Sequence, residues 1–269
     1  MQSISVVGVV GVGVVGRALY EASINAGIRT IGFDPFIPQF GELNETVLDC
    51  EVVFVSVPTL TVDGVQQLGP LNDVCQKLKD LAFQGVVCIR CTTLPGTCAG
   101  LKKVYGLRIV HMPEFLTEAN ASADFNAQDV LFVSGDRKDR PAVFGAMFVM
   151  LPRPKDGWRV FQAEDMRVTE FQKYFANCHK AIKVAFCNEI YQACLTTGVD
   201  YNDVRKFAIE VGGVGENHTK VPGPDKLLGY AGLCFPKDMA AFAAYLDSIN
   251  VDAQVFHAAI GSNDLVRAQ

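Results

Sequence analysis

Six apolar runs of strand length alternate with helix-like segments over the first half of the chain: Ile4–Val10, Arg29–Phe33, Val52–Val57, Val86–Arg90, Arg108–His111 and Val130–Ser134. The stretches between them, such as Arg17–Ala26 and Leu71–Leu81, have helical spacing. Strands that are apolar throughout are buried on both faces, and intervening helices supply both covers. The expectation is an α/β domain on a parallel sheet, running to about Met150. LPRPKDGW, Leu151–Trp158, breaks the pattern with prolines and charge and sets a boundary, giving domains at 1–153 and 154–269. After a short run at Trp158–Gln162, the stretch from Ala163 to Thr197 contains no Pro or Gly until Gly198 and reads as one long helix. Its apolar positions occupy more than one face, which suits burial among partners or a subunit interface. Helices at Tyr201–Glu210, Lys237–Ser248 and Ala253–Val266 make the second domain all-helical.

The turn leaving the first strand narrows the function. It reads GVGVVG and comprises Gly11, Val12, Gly13, Val14, Val15 and Gly16. In a dinucleotide-binding loop the first glycine permits the tight turn, the second lets backbone N–H groups approach a pyrophosphate, and the third packs helix on strand. The helix that follows turns its N-terminal dipole toward the phosphates. Asp34 closes the second strand, 18 residues after Gly16, where a carboxylate accepts from an adenosine ribose and repels a 2′-phosphate. An ordinary glycine-rich turn with an acidic strand end would look similar, but strand, loop, helix and acid in register favour NAD.

Composition excludes other classes. Of 269 residues, 49% are hydrophobic and 20% charged, the profile of a globular chain with ample core. A net charge of −5 without a dense Lys/Arg run argues against nucleic acid as a partner. The apolar N-terminus lacks a basic leading segment and is shorter than the ~20 residues of a bilayer span, so a cytoplasmic protein without membrane attachment is expected. Nine cysteines without a secretion signal read as reduced thiols. Cys88 and Cys91 form a C-x-x-C with no second pair to complete a zinc site, and they are expected to be buried thiols, with no metal. One cysteine has different neighbours: Cys234, in GYAGLCFPKD.

Six blocks in order carry a resemblance: VGVGVVG at 10–16, SVPT at 56–59, CTTLPGT at 91–97, PEFLTEANASADF at 113–125, KYFANCHKAIKVAFCNE at 173–189 and GYAGLCFPKD at 229–238. Together they resemble the UDP-glucose/GDP-mannose dehydrogenase family, NAD enzymes that oxidise a nucleotide-sugar alcohol to a carboxylate. The resemblance implies a Rossmann-type domain followed by a helical dimerisation domain, hence a homodimer through the long helix. It also implies that Cys234 is the nucleophile. Oxidation of a primary alcohol to an acid removes two hydrides, and a thiolate added to the intermediate aldehyde makes the second removal possible, leaving a thioester for water. By the same resemblance Asp238 positions and deprotonates that water, and Lys173 and Asn177, four apart on the long helix, stabilise an oxyanion. Glu114 is implied as general acid/base and Thr93 as a holder of water or cofactor. Val57, Thr59, Thr92 and Glu118 are implied beside NAD, and Lys237 more loosely at its phosphates. Phe115, Leu116, Glu118, His218, Gly229 and Tyr230 are implied at the substrate, with UDP-glucose to UDP-glucuronate the leading expectation.

The chain departs from the family in three ways. It ends at Gln269, the last residue of SNDLVRAQ, where the family continues into a second domain that holds the substrate's nucleotide. A natural minimal enzyme, a separate nucleotide-binding partner or a shortened chain would each account for this. The stretch from Asp34 to Val57 is short for the family. The family arginine about sixteen residues before the cysteine is here His218. Two other readings stay open: an idle relative that binds NAD or dimerises, and a β-hydroxyacid-type dehydrogenase, which needs no nucleophilic cysteine.

Overall fold

The computed structural model describes residues 4–268, so Met1 and Gln269, the outer bounds of the expected domains, lie outside it. The chain divides into two compact units. One comprises the residues up to Leu60 with Gln67–Lys173, and the other comprises Thr61–Gln66 with the residues from Tyr174 onward.

The first unit holds β1 (Val6–Val10), α1 (Val14–Asn25), β2 (Arg29–Phe33) and β3 (Val52–Val55). The hairpin β4 (Thr61–Val62) and β5 (Val65–Gln66) then leaves for the second unit. The first unit resumes with α2 (Gly69–Asp80), β6 (Val86–Ile89), α3 (Thr97–Tyr105), β7 (Arg108–His111), α4 (Ala121–Asn126), β8 (Val130–Gly135), α5 (Arg140–Met150) and β9 (Arg159–Ala163). Its sheet runs β2-β1-β3-β6-β7-β8-β9. Successive strand residues enter opposite layers: Val7, Val9, Phe54 and Cys88 pack under α1, α4 and α5, while Val53, Val55, Val87 and Ile89 pack under α2 and α3. Both faces are covered, as apolar strands without alternation require.

The sheet is the expected parallel one from β2 to β7; β8 runs antiparallel to β7, and β9 runs parallel to β8. The antiparallel pairing returns the chain to the edge it left, which keeps Met112–Asp129 at the carboxyl ends of the central strands. The expected boundary at 153/154 lies inside the first unit, because β9 beyond it pairs with β8 from Val130↔Arg159 to Ser134↔Ala163. The unit division falls instead within α6 (Arg167–Thr197), the expected long helix.

The second unit takes the rest of α6, α7 (Tyr201–Glu210), α8 (Phe235–Ser248) and α9 (Gln254–Arg267). It is helical apart from the β4–β5 hairpin. Asp63 and Gly64 turn that hairpin with φ of 48° and 76°, the pattern of a two-residue Asp-Gly turn. The hairpin lies on α8, and Gln66 Nε2 donates to the Tyr174 hydroxyl at 3.2 Å.

Candidate active site

In the first unit, strand order reverses about β1, which has β2 on one side and β3 on the other. A crevice opens at such a point beyond the carboxyl ends of the strands, and the glycine loop occupies it. Gly11 has φ +81°, and a Cβ there would lie 2.8 Å from the Ser56 carbonyl oxygen. A Cβ on Gly16 would lie 1.9 Å from the Gly11 carbonyl oxygen, so this glycine lets α1 seat against the loop. A Cβ on Gly13 would meet nothing within 4 Å, which leaves room over the N-terminus of α1. Asp34 is buried and its carboxylate accepts from Val12 N at 2.9 Å and from Phe36 N at 3.0 Å. Each carboxylate oxygen keeps acceptor capacity beyond these bonds. The Ser56 hydroxyl, at the same strand ends, is buried without a hydrogen-bond partner among the described residues. This cradle fits a dinucleotide pyrophosphate and ribose.

The other expected cofactor residues follow neighbouring strands. Val57 is half-buried after β3, and the Thr59 hydroxyl donates to the Thr92 carbonyl at 2.8 Å, tying the loops after β3 and β6. Thr93 is fully buried and its hydroxyl donates to Glu170 Oε1 at 3.1 Å. Glu170, at the head of α6, also accepts from Gly96 N at 2.7 Å and Cys98 N at 2.9 Å, so its carboxylate holds the first turn of α3. Burial raises its pKa, and the bonds from Cys98, Gly96 and Thr93 oppose that.

After β7, Glu114 and Lys173 meet. Lys173 is buried and its Nζ donates to Glu114 Oε1 at 3.2 Å and to the Glu114 carbonyl. The same Nζ lies 4.9 Å from the centre of the Phe115 ring, within cation–π range. Glu114 Oε2 accepts from Leu116 N at 2.7 Å, which folds the loop back on its own carboxylate. Glu118 is exposed, in a short 3-10 turn at Glu118–Asn120. His111 is fully buried: Thr169 Oγ1 lies 2.7 Å from Nδ1 and the Cys91 carbonyl 3.2 Å from Nε2. Since the carbonyl can only accept, Nε2 carries the proton. Burial first, and then Lys173, push its pKa to about 4, against the bond to Cys91.

In the second unit, Cys234 stands at the N-terminal cap of α8. It is exposed, whereas the other eight cysteines are buried. Burial pushes Cys88 and Cys91 up to about 12, and they lie on opposite faces of the sheet. A thiol at a helix N-terminus sits where the helix dipole favours an anion. One turn on, Asp238 is buried, its N–H donating to the Cys234 carbonyl at 3.0 Å. Its Oδ2 accepts from Asn177 Nδ2 at 2.7 Å and its Oδ1 from Lys237 Nζ at 2.5 Å. Lys237 is therefore engaged with Asp238. Thus α6 contributes Lys173 to the Glu114 group and Asn177 to the Asp238 group.

His218, Gly229 and Tyr230 line one cleft of the second unit, about 920 Å³, together with Val184, Gly232 and Phe235. The His218 ring lies 5.7 Å from that of Phe235. Partial desolvation, then Lys180 and Lys183, lower the His218 pKa and so disfavour the charged imidazolium. No group of three or more His, Cys, Asp or Glu suited to a metal occurs among the described residues. No helix among them is long and apolar enough to cross a membrane.

Several residues at these sites were not legible from the sequence. Glu170 acts on residues more than 70 positions away, and no local signal marks it. Arg90 is fully buried just after β6, with Nε and Nη2 lacking hydrogen-bond partners among the described residues and its guanidinium 5.6 Å from the Phe125 ring. Burial lowers its pKa, while Cys88 and Glu114 oppose that. Asn188 and Asn263 are buried amides that bind the backbone of Gly229 and Tyr230.

Two family patterns match the chain. The NAD binding domain of the UDP-glucose/GDP-mannose dehydrogenase family covers residues 37–151, and its central domain covers residues 167–265. A UDP-glucose 6-dehydrogenase of Pseudomonas aeruginosa is 30% identical over 234 residues, covering 82% of this chain and 50% of that protein. The chain spans about half the length of the curated relatives it matches. A UDP-glucose dehydrogenase of Pyrobaculum islandicum superposes with a TM-score of 0.82 at 21% identity, over 97% of this chain and 68% of that one. A Mycobacterium tuberculosis 3-hydroxyisobutyrate dehydrogenase gives 0.75 at 16% identity, over 96% and 92%. The fold is common to both classes, whereas the family patterns belong to the first.

Proposed function

Because the chain belongs to the UDP-glucose/GDP-mannose dehydrogenase family, we propose that it oxidises the primary alcohol of a nucleotide sugar to a carboxylate, with Cys234 as covalent nucleophile. UDP-glucose, oxidised to UDP-glucuronate, is the leading substrate. The observation that carries the reading is the contrast among the cysteines. Eight are buried, while Cys234 is exposed at the head of α8, one turn before a buried carboxylate.

The glycine loop, with Asp34, Val57, Thr59, Thr92 and Glu118, would hold NAD, which would supply a hydride acceptor for the alcohol carbon. At the aldehyde stage the Cys234 sulfur bonds to the carbonyl carbon and the carbonyl oxygen gains a proton, giving a thiohemiacetal. The thiohemiacetal becomes a thioester when its hydroxyl gives a proton to Glu114 and its carbon gives up a hydride, for which a second bound NAD would be the acceptor. Asp238 takes a proton from water, the water oxygen attacks the thioester carbon, and the C–S bond breaks to release carboxylate and thiolate. Lys173 and Asn177 donate to the oxygen that becomes negative in these tetrahedral states. Glu114 moves the proton as general acid/base, and Thr93 acts from behind through its bond to Glu170. Phe115, Leu116, Glu118, His218, Gly229 and Tyr230 contact the substrate. The cleft shared by the last three supports that part.

Exposed Phe175 and Phe186 on α6, with Phe207 on α7 and Val211 just after it, support a homodimer through the long helix. In a second form of the reading, a separate nucleotide-binding partner completes the substrate site. A spectrophotometric screen of UDP-glucose, GDP-mannose and UDP-N-acetyl sugars with NAD, beside Cys234→Ala, tests both forms. NADH formed by the native chain and lost in the variant supports the enzyme. NAD binding without turnover of any sugar at millimolar concentration makes the chain alone an idle binder, and activity restored by a nucleotide-binding partner establishes the split form.

A further inference from the structure

The loop between Gly229 and Cys234 is held at its start by two side chains from different helices. Gly229 N donates to Asn188 Oδ1 of α6 at 2.9 Å, and Tyr230 N donates to Asn263 Oδ1 of α9 at 2.6 Å. Both asparagines are buried, as are Gly229 and Tyr230. Asn188 Nδ2 donates to Val184 O, one turn back on its own helix, which turns its carbonyl oxygen toward the loop. Gly229 has φ +72°, and a Cβ there would lie 2.5 Å from Asn263 Oδ1, so this position admits the clamp only as glycine. At the other end of the loop the Tyr230 ring packs edge-on against Phe235, centroids 6.3 Å apart, and so spans Cys234 from both sides in sequence.

Neither asparagine is required by local structure. Both sit inside helices, where Asn is a weak helix former, and neither caps its helix. Each gives its buried acceptor to a backbone N–H of this one loop. Two consecutive N–H groups fixed from two helices, with a ring contact across the cysteine, leave the loop little freedom at the point where α8 begins. We propose that Asn188 and Asn263 are positioning residues that hold the Cys234 thiol at the N-terminus of α8. The inference rests on Cys234 being the nucleophile, but its first two tests do not depend on turnover. The thiol is already exposed, so loosening the loop adds no access and only removes the placement that favours a thiolate.

Amide hydrogen exchange, alkylation of Cys234 by iodoacetamide and steady-state kinetics on the full chain test the clamp. In the native protein, the Gly229 and Tyr230 amides are expected to exchange as slowly as those in the middle of α8. Asn263→Ala and Asn188→Ala should each speed exchange of the partnered amide at least 10-fold and slow Cys234 alkylation at least 3-fold. Where a sugar nucleotide is turned over, kcat should fall at least 10-fold with KM for NAD unchanged. Asn263→Asp and Asn188→Asp keep an acceptor oxygen and should restore alkylation to within 3-fold of the native rate. Unprotected Gly229 and Tyr230 amides in the native protein overturn the proposal, even if neither alanine variant folds. Alkylation at the native rate in folded alanine variants also overturns it. An absence of turnover with every sugar counts against the dehydrogenase and leaves the exchange and alkylation results to decide the clamp.

Discussion

Asn177 Nδ2 donates to Asp238 Oδ2 across 2.7 Å, joining α6 to the first turn of α8 inside the second unit. Asp238 is buried, with Lys237 on its other oxygen. A hydrogen bond to a buried charged group contributes about 1.5–3 kcal/mol, and its loss leaves an acceptor unsatisfied. Asn177→Ala is therefore expected to lower stability by about 2 kcal/mol in urea titration. Asp238→Asn, which keeps the shape but cannot take a proton, should leave the fold intact and stall thioester hydrolysis, seen as a burst of about two NADH per Cys234 followed by slow turnover.

The glycine loop separates two effects that a single substitution usually mixes. Gly13→Ala finds open space, so its melting temperature should stay within about 3 °C of native while NAD affinity falls about 10-fold or more by calorimetry. Gly16→Ala forces a Cβ against the Gly11 carbonyl, and the unfolding free energy should fall by about 3 kcal/mol. Equal NAD affinity in native and Gly13→Ala proteins would remove the pyrophosphate from this loop.

His111 gives the first unit a defined response to acid. Its folded pKa of about 4 lies below the ordinary value of 6.5. The unfolded chain therefore binds the proton first as pH falls. Stability from this group is complete above about pH 6.5 and is lost as pH drops toward 4, by about 3 kcal/mol in total. His111→Gln should flatten the stability profile between those limits, read by denaturant titration at successive pH values. An unchanged slope would mean that the imidazole is not buried neutral.

Arg90 places a charge in the core with two donor nitrogens that have no hydrogen-bond partner among the described residues. A buried polar group without a partner is costly, and an apolar side chain of similar length removes that desolvation cost. Arg90→Met is expected to raise the melting temperature or leave it unchanged. A clear fall would show that the guanidinium has an acceptor in solution.

The residues differ in how much of this the sequence disclosed. Val7, Val53 and Ile89 announced buried strands because unbroken apolar runs have few other stable uses, and the absence of Pro and Gly up to Gly198 marked α6. The antiparallel turn at β8 was not legible, since an apolar run has no direction. The β4–β5 hairpin has only the Asp63-Gly64 turn as a local signal, because its strands are two residues long and only packing on α8 secures them. At the site, Gly11, Gly13 and Gly16 carry backbone requirements that are local and therefore readable. Glu170, Asn188 and Asn263 act through partners dozens of residues away, which no spacing rule reaches. The lowered pKa of His218 comes from partial burial and from Lys180 and Lys183 beside it, consequences of folding.

The most direct measurement of the covalent role is a count of NADH formed per molecule of sugar nucleotide, with the sugar limiting and NAD in excess, in native and Cys234→Ser proteins. Two NADH per sugar for the native protein, and no more than one for the variant, is the expected result. A variant that also delivers two at the native rate, or a native protein that delivers none from any sugar nucleotide even with a nucleotide-binding partner added, contradicts it.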